Sequence, residues 1–426
     1  MFEVLLTSSL PFSVASTDSE SKDSANSSPP PYQFNVEDRL KPQRNFWVDI
    51  YTKYDIYHGL IHDGKYVDHI YEVVDTRGHR GEGYLRKRKK YWYGVLMSLH
   101  HKIKRHGNKA PDDLTTDEDM LNKLYADINE PNKFLNAAHR KRLRFQLGQK
   151  DYFISGYKQA GRYLPIMEEI FKKNGLPTEL TRLPFVESSF NIHARSKVGA
   201  SGIWQFMRST GKSYLKINDA IDERNDPIRA TEAAVKLMES NFKSLKNWPL
   251  AVTAYNHGRM GLMRAERRVG SDDLADILES YHSRSFGFAS SNFFTELCGA
   301  IEAEKNADKY FGKLDRLPVD TFFEFKMRDY MEFKDVVKFF ALDREKLRDL
   351  NPALMDSVFK GRRRVPAGYL LRMPYDGGLS KEVLAKNIQE VYAKIPSAYR
   401  FKTQKTGYVP AQSTGRKHHK RAKAST

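Results

Sequence analysis

One ionisable side chain interrupts an apolar stripe near the middle of this chain, and few folds accommodate that. In Leu176-Pro177-Thr178-Glu179-Leu180-Thr181-Arg182-Leu183-Pro184-Phe185-Val186-Glu187-Ser188-Ser189-Phe190, the residues Leu176, Leu180, Leu183, Glu187 and Phe190 share one face at helical spacing. A carboxylate on that face looks into a core or onto the floor of a cleft. Loss of water there raises its pKa and holds it protonated near neutral pH, as a general acid requires. Two readings are open at this point: a structural glutamate satisfied by hydrogen bonds, or the acid of an active site.

The residues that follow bear on the choice. Gly199 and Gly202 permit a tight turn or a close approach of backbone to ligand. Ser196, Trp204 and Gln205 supply polar and aromatic surface of the kind that holds sugars. From Ser188 to Asn218 there is no Asp or Glu, whereas His193, Arg195, Lys197, Arg208, Lys212 and Lys216 are present. A lone acid beside a basic, Gly-rich loop reads as a single-carboxylate site, and glycosidases that use water normally employ two.

The run Glu187-Ser188-x-Phe190, then Ala194-x-Ser196-x-x-Gly199-Ala200-x-Gly202-x-Trp204-Gln205-Phe206-Met207, resembles the lytic transglycosylases with a goose-lysozyme-like domain, in particular their membrane-bound D-type subgroup. Further matches in the same order are Asp222-Glu223-Arg224-Asn225-Asp226-Pro227, the Ala-rich stretch from Thr231 to Met238, and Trp248-x-Leu250-Ala251-x-x-Ala254-Tyr255-Asn256-x-Gly258. The resemblance implies cleavage of the bond between N-acetylmuramic acid and N-acetylglucosamine in peptidoglycan, with Glu187 as the catalytic acid and base. It further implies that Ser196, Gln205, Tyr255 and Asn256 position the substrate while Trp204 and Met207 shape the wall. No cofactor and no metal are expected. The partner is the peptidoglycan glycan strand, not nucleic acid.

Elsewhere the chain is organised around that stretch. No apolar run approaches the ~20 residues that span a bilayer. The single cysteine, Cys298, excludes an internal disulfide framework and lies on a helical-looking run from Asn292 to Tyr310. The net charge of +18 suggests a polyanionic partner or surface. Phe2 to Ala15 resembles a signal peptide ending in Ser13-Val14-Ala15, so an exported or periplasmic location is expected; the start lacks Lys and Arg. Alternation between Asn45 and Asp75 predicts two short strands. The basic run Arg86-Lys87-Arg88-Lys89-Lys90 precedes a stripe of Trp92, Val95, Leu96, Leu99 and Ile103, which makes it the solvated face of a helix. Helices from Thr116 to Gly175 are expected to form a collar, ended by Asn174-Gly175.

After Gly312 the pattern changes. Asp320 to Met327 alternates like a strand, and two short helices are expected around Phe333 to Leu342 and Arg344 to Leu350. Leu350-Asn351-Pro352 and Pro366-x-Gly368-Tyr369-x-Leu371-x-x-Pro374 resemble a LysM module, a βααβ unit that binds N-acetylglucosamine chains. The turn after the first strand, Met327-Arg328-Asp329-Tyr330-Met331, departs from that pattern. The expected fold is therefore mainly α: a lysozyme-like catalytic domain (149–316) behind a disordered, signal-like start (1–36) and a helical extension (37–148). A LysM-like module (317–374) and a basic, largely disordered tail (375–426) that adheres to anionic surfaces complete it. Two alternatives remain. One is a hydrolytic muramidase with Asp219, Asp222, Glu223 or Asp226 as second carboxylate, although Asp226 also suits a cap for a helix starting at Pro227. The other is a noncatalytic wall-binding protein.

Overall fold

The computed structural model describes residues 32, 34–78, 82–375, 377–378 and 380–405. The signal-like start and the basic run from Arg416 lie outside them. Two units form. One takes the described residues of 32–215 and 227–320; the other takes 216–226 and those from 321 to 405.

The first unit is mainly helical. It opens with α1 (Lys41–Thr52), then β1 (His58–Asp63), β2 (Ile70–Asp75), α2 (Glu82–Arg105), α3 (Thr116–Leu124), α4 (Lys133–Ala138) and β3 (Leu143–Leu147). The two strands expected from the alternation are β1 and β2, paired antiparallel with Leu60 opposite Val73. A third strand, β3, pairs with the other edge of β1, Leu60 opposite Gln146. This corrects the all-helical collar: a five-residue segment carrying Arg144 has too little periodicity to declare itself, and the open edge of β1 fixes its state. Trp92, Leu96 and Leu99 of α2 are buried together with Ile61, Tyr71 and Val74 of the sheet. Arg86, Lys87 and Lys90 are exposed, as a solvated face requires.

The rest of this unit is a helical array: α5 (Lys150–Lys173), α6 (Leu183–Ser188), α7 (Arg208–Lys212), α8 (Pro227–Leu245), α9 (Trp248–His257), α10 (Arg259–Val269), α11 (Leu274–Ser280), α12 (Phe288–Lys305) and α13 (Ala307–Phe311). α5 ends at Asn174, and Gly175 takes a positive φ of 70°, the left-handed turn expected there. Apolar around most of its circumference, α12 is buried at the centre and packs on α1, α6 and α9. Gly299 lets α1 come close, since a Cβ there would lie 2.9 Å from the Cβ of Trp47.

The second unit contains β4 (Phe322–Lys326), α14 (Phe333–Phe339), α15 (Arg344–Leu350), α16 (Asp356–Phe359), β5 (Leu370–Pro374) and α17 (Lys381–Lys394). β4 and β5 pair antiparallel, with Phe325 opposite Leu371. The expected βααβ order is present, with one extra helical turn, α16. Part of the stretch expected to be disordered is helical: Ser380 caps α17, and Ile388, Tyr392 and Ile395 at helical spacing enter the core, while the expected tail beyond 405 lies outside the described residues. Composition had masked an amphipathic stripe.

Lys216–Asp226 completes this unit. Met355 N donates to Ala220 O at 2.9 Å and Asp222 N to Ala353 O at 2.8 Å. At the centre Arg372, 5% exposed, reaches Asp226 at 2.8 Å and Glu324 at 3.1 Å. Asn351 of the Leu-Asn-Pro run is buried and donates to the Leu347 and Arg372 carbonyls, both at 2.7 Å.

Arg372→Met removes the guanidinium that two buried carboxylates share. We expect a loss of about 3–5 kcal/mol in denaturant unfolding. Cutting the exposed Arg348–Asp356 pair should cost about 0–1 kcal/mol in the same experiment.

Candidate active site

Local rules explain why Glu187 ends where it does. Pro177 and Pro184 punctuate the approach: a 3-10 turn over Thr178–Arg182 leads into α6, only six residues long. Leu176, Leu180, Leu183 and Phe190 are all buried, as their stripe requires. Phe190, however, is off the helix. Ser189 and Phe190 both take positive φ, 50° and 55°, which strains side chains of L configuration. The bend is held from two sides. Ser188 Oγ donates to Ile203 O at 2.9 Å, and Gly156 of α5 leaves room for the Ser189 backbone, whose oxygen would be 2.8 Å from a Cβ there. Glu187 therefore sits in the last turn of a helix that is stopped, bent and pinned.

Glu187 is half-buried and makes no ion pair among the described residues. Burial pushes its carboxyl up to about 8. At neutral pH the group is an uncharged acid.

A second acid stands with it. α1 and α12 run antiparallel in register: Arg44 meets Glu302 at 3.8 Å, Trp47 meets Gly299, and one turn on Tyr51 meets Glu296. Glu296 is pushed up to about 8, first by burial and then by the charge of Glu187. The hydroxyl of Tyr51 is held well above its ordinary pKa by burial, then by Glu296 and Glu187. The loop after Glu187 carries no other acid, as read from the sequence; Glu296 comes from a remote helix. The signal was present in Asn292-Phe293-Phe294-Thr295-Glu296-Leu297-Cys298, where an acid breaks an apolar helical run as Glu187 does.

The four acids considered as the second carboxylate are otherwise engaged, all within the second unit. Asp219 pairs with Arg363, Asp222 with Arg224 at 2.7 Å and Asp226 with Arg372; Glu223 accepts from Lys216 N at 2.6 Å.

The expected substrate residues divide into three groups. Tyr255 lies beside Glu187, whose charge together with burial raises its hydroxyl pKa far above the ordinary value. That hydroxyl donates to Trp204 O at 2.7 Å, and the ring stacks on Phe293 at 6.1 Å. Asn256 is exposed, and its Oδ1 accepts from Ser290 Oγ at 2.8 Å. Met207 is also open, at 40% exposure.

Ser196 and Gln205 brace the loop first. Ser196 Oγ accepts from Ala200 N at 2.9 Å, which leaves its own proton to give. Gln205, at a φ of 47°, donates its amide to Ala194 O and Gly202 O at 3.2 and 2.8 Å.

Trp204 forms no surface. It is 0% exposed, stacks on Phe171 with an 8° tilt, and donates to Thr231 Oγ1 at 2.9 Å. The expected wall residue is a core residue whose carbonyl orients Tyr255. Volume decides this, because an indole beneath a small-residue loop fills the space no other side chain there fills.

An acid raised by burial, at a bent helix end tied through Ser188 to Ile203, can hold a proton at neutral pH and has the chemistry of a general acid. Residues 165–277, which include Glu187, match the sequence profile of the Transglycosylase SLT domain. It is 38% identical over 132 residues to the membrane-bound lytic murein transglycosylase D of Escherichia coli (strain K12), covering 30% of this chain and 29% of that protein. A putative tributyltin chloride resistance protein of Alteromonas sp. (strain M-1) is 38% identical over 102 residues, 24% of this chain and 49% of its own. The chain thus spans less than half the length of these relatives. The 70 kDa soluble lytic transglycosylase of Escherichia coli aligns at 15% identity and a TM-score of 0.28, over 65% of this chain and 52% of that one.

The buried acid has a cost in stability. Below its unfolded pKa of about 4.5 the carboxyl is protonated in both states; as pH rises toward 8 only the unfolded chain releases the proton, so the folded state loses ground, and the loss levels off above about 8. Glu187→Gln should therefore stabilise the protein, by on the order of 1–2 kcal/mol at pH 8 and by little at pH 4. Thermal melts at the two pH values check it.

Proposed function

We propose that the protein is a peptidoglycan lytic transglycosylase acting on the wall outside the cytoplasmic membrane. The observation that carries this reading is Glu187: raised by burial so that it is protonated at neutral pH, without an ion pair among the described residues, and inside the stretch that matches the SLT domain. Its proton goes to the glycosidic oxygen between N-acetylmuramic acid and N-acetylglucosamine as that bond breaks. The carboxylate left behind has no counter-ion and is a strong base. It takes the proton of the muramoyl C6 hydroxyl as that oxygen bonds to C1, giving a 1,6-anhydro ring and restoring the acid. Tethering replaces a second catalytic carboxylate, because the nucleophile belongs to the sugar under attack.

Glu296 argues for this route over hydrolysis. An inverting muramidase needs an ionised second carboxylate with a water between it and the sugar. Glu296 is instead pushed up to about 8, first by burial and then by the charge of Glu187, so at pH 7 it is mainly protonated and a poor base for water. Ser196, Gln205, Tyr255, Asn256 and Met207 form the substrate-facing group, with Trp204 behind them. The βααβ unit would add a LysM-like contact to the glycan.

The test is digestion of sacculi in water enriched in heavy oxygen, followed by mass spectrometry. We expect 1,6-anhydro ends without label; labelled reducing ends as the main product would identify a hydrolase. Glu187→Gln should lower turnover by about 10²–10⁴-fold.

A further inference from the structure

We propose that the first unit carries an anion-binding pocket, distinct from the Glu187 site, which takes carboxylates of the acidic peptide borne by the glycan. The inference rests on the peptidoglycan reading above for the identity of the peptide.

The pocket lies where the Tyr281–Gly287 loop enters α12. Its volume is about 500 Å³, and no Asp or Glu lines it, whereas Lys65, Lys141, Arg142, Arg144, His282 and Arg284 do. These cations are not equivalent. Arg142 is held by Asp63 and Glu130, and Lys65 lies 3.5 Å from Glu130. Among the described residues Lys141, Arg144 and Arg284 have no acidic partner. Arg144 is the most exacting. Its guanidinium lies 3.9 Å from the centre of the Phe288 ring, and its Nε is buried without an acceptor. Burial lowers its pKa, the direction expected of a partly desolvated cation. The Phe288 ring offsets part of that loss, and an arriving anion would offset more, since no acidic partner among the described residues does so.

The helix end adds a second attraction. Gly287 caps the 18-residue α12 without a side-chain hydrogen bond, and Gly287, Phe288 and Ser291 all line the pocket. The first-turn N–H groups and the positive end of the helix dipole therefore meet the same space as the three free cations.

Shape selects a peptide over a bare ion. The volume suits a small organic ligand, and Tyr281, Phe286 and Phe288 supply apolar wall for its aliphatic parts. Position selects a substrate branch. Ser290, on that first turn, holds Asn256 of the candidate sugar site, and Glu296 follows Phe288 by eight residues, roughly 12 Å along the helix. A chain hanging from a sugar at Glu187 would lie along this wall. The consequence is a preference for glycan that still carries its peptides.

The experiment is titration calorimetry at low ionic strength on the full chain carrying Glu187→Gln, so that binding is read apart from turnover. The probes are peptide stems released from sacculi by an amidase and, in parallel, inorganic phosphate. We expect the stems to bind, phosphate to bind at least about tenfold more weakly, and Arg144→Gln to weaken the stems by on the order of tenfold. Lys141→Ala with Arg284→Ala, both exposed, provides a second variant that should do the same without touching the packing on Phe288. Stems that fail to bind, stems indifferent to both variants, or phosphate bound as tightly as the stems would each overturn the proposal. Stems that bind to a protein whose active form makes no anhydro ends would support the pocket and defeat the transglycosylase reading instead.

Discussion

A half-buried carboxyl group with no ion pair among the described residues is the constraint around which the first unit is built. Such a group is costly to hold, and the surrounding structure over-determines its place. α6 is stopped after one and a half turns, Ser189 and Phe190 are forced through positive φ, and the Ser188 hydroxyl ties the helix end to the loop that carries Trp204. Gly156 is required because α5 passes within contact of the Ser189 backbone. Further out, Trp204 fills the volume beneath the loop and anchors through Thr231. Each of these contacts is ordinary packing. Together they keep the strained backbone of Ser189 and Phe190 from relaxing.

Much of this was legible in the residues. The stripe around Glu187, the turn at Gly175, the two strands before α2 and the βααβ order of the second unit all follow from periodicity and punctuation, which are local properties. What was not legible depended on partners remote in sequence. β3 is a strand because β1 offers it an edge. α17 is ordered because Ile388, Tyr392 and Ile395 find a core to enter. Lys216–Asp226 lies inside the matched SLT stretch yet belongs to the second unit, and only the bonds to Ala353, Met355 and Arg372 reveal it.

The site shows the same division. Glu187 was visible because an acid on an apolar stripe is an anomaly; Glu296 is the same anomaly on α12. It escaped notice because the motif at Glu187 already accounted for a complete acid and base, and nothing local to Phe293-Phe294-Thr295 says which helix faces it. Trp204 errs in the opposite direction. A tryptophan in a Gly-rich loop suggests a sugar platform, but the glycines bend that loop so that the indole turns inward and its carbonyl alone addresses the site, through Tyr255.

The charge of the whole chain sharpens the problem that the fold must solve. With 71 Lys and Arg against 53 Asp and Glu, most placements of a carboxyl would leave it near a cation and drive it to ionise. Burial is nonetheless the sole influence resolved on Glu187, and Glu296 is itself raised first by burial and then by Glu187. The nearby arginines are occupied at the periphery: Arg44 faces Glu302, and Arg182 is shared between Glu168 and Glu304. α12 separates the two regimes along a single axis. Its N-terminal turn lies by cations of which Lys141, Arg144 and Arg284 have no acidic partner among the described residues, while its middle carries an acid raised by burial and by Glu187. One helix can serve both because the field of its open end fades within the first turn, well before the dense apolar packing around Glu296 begins.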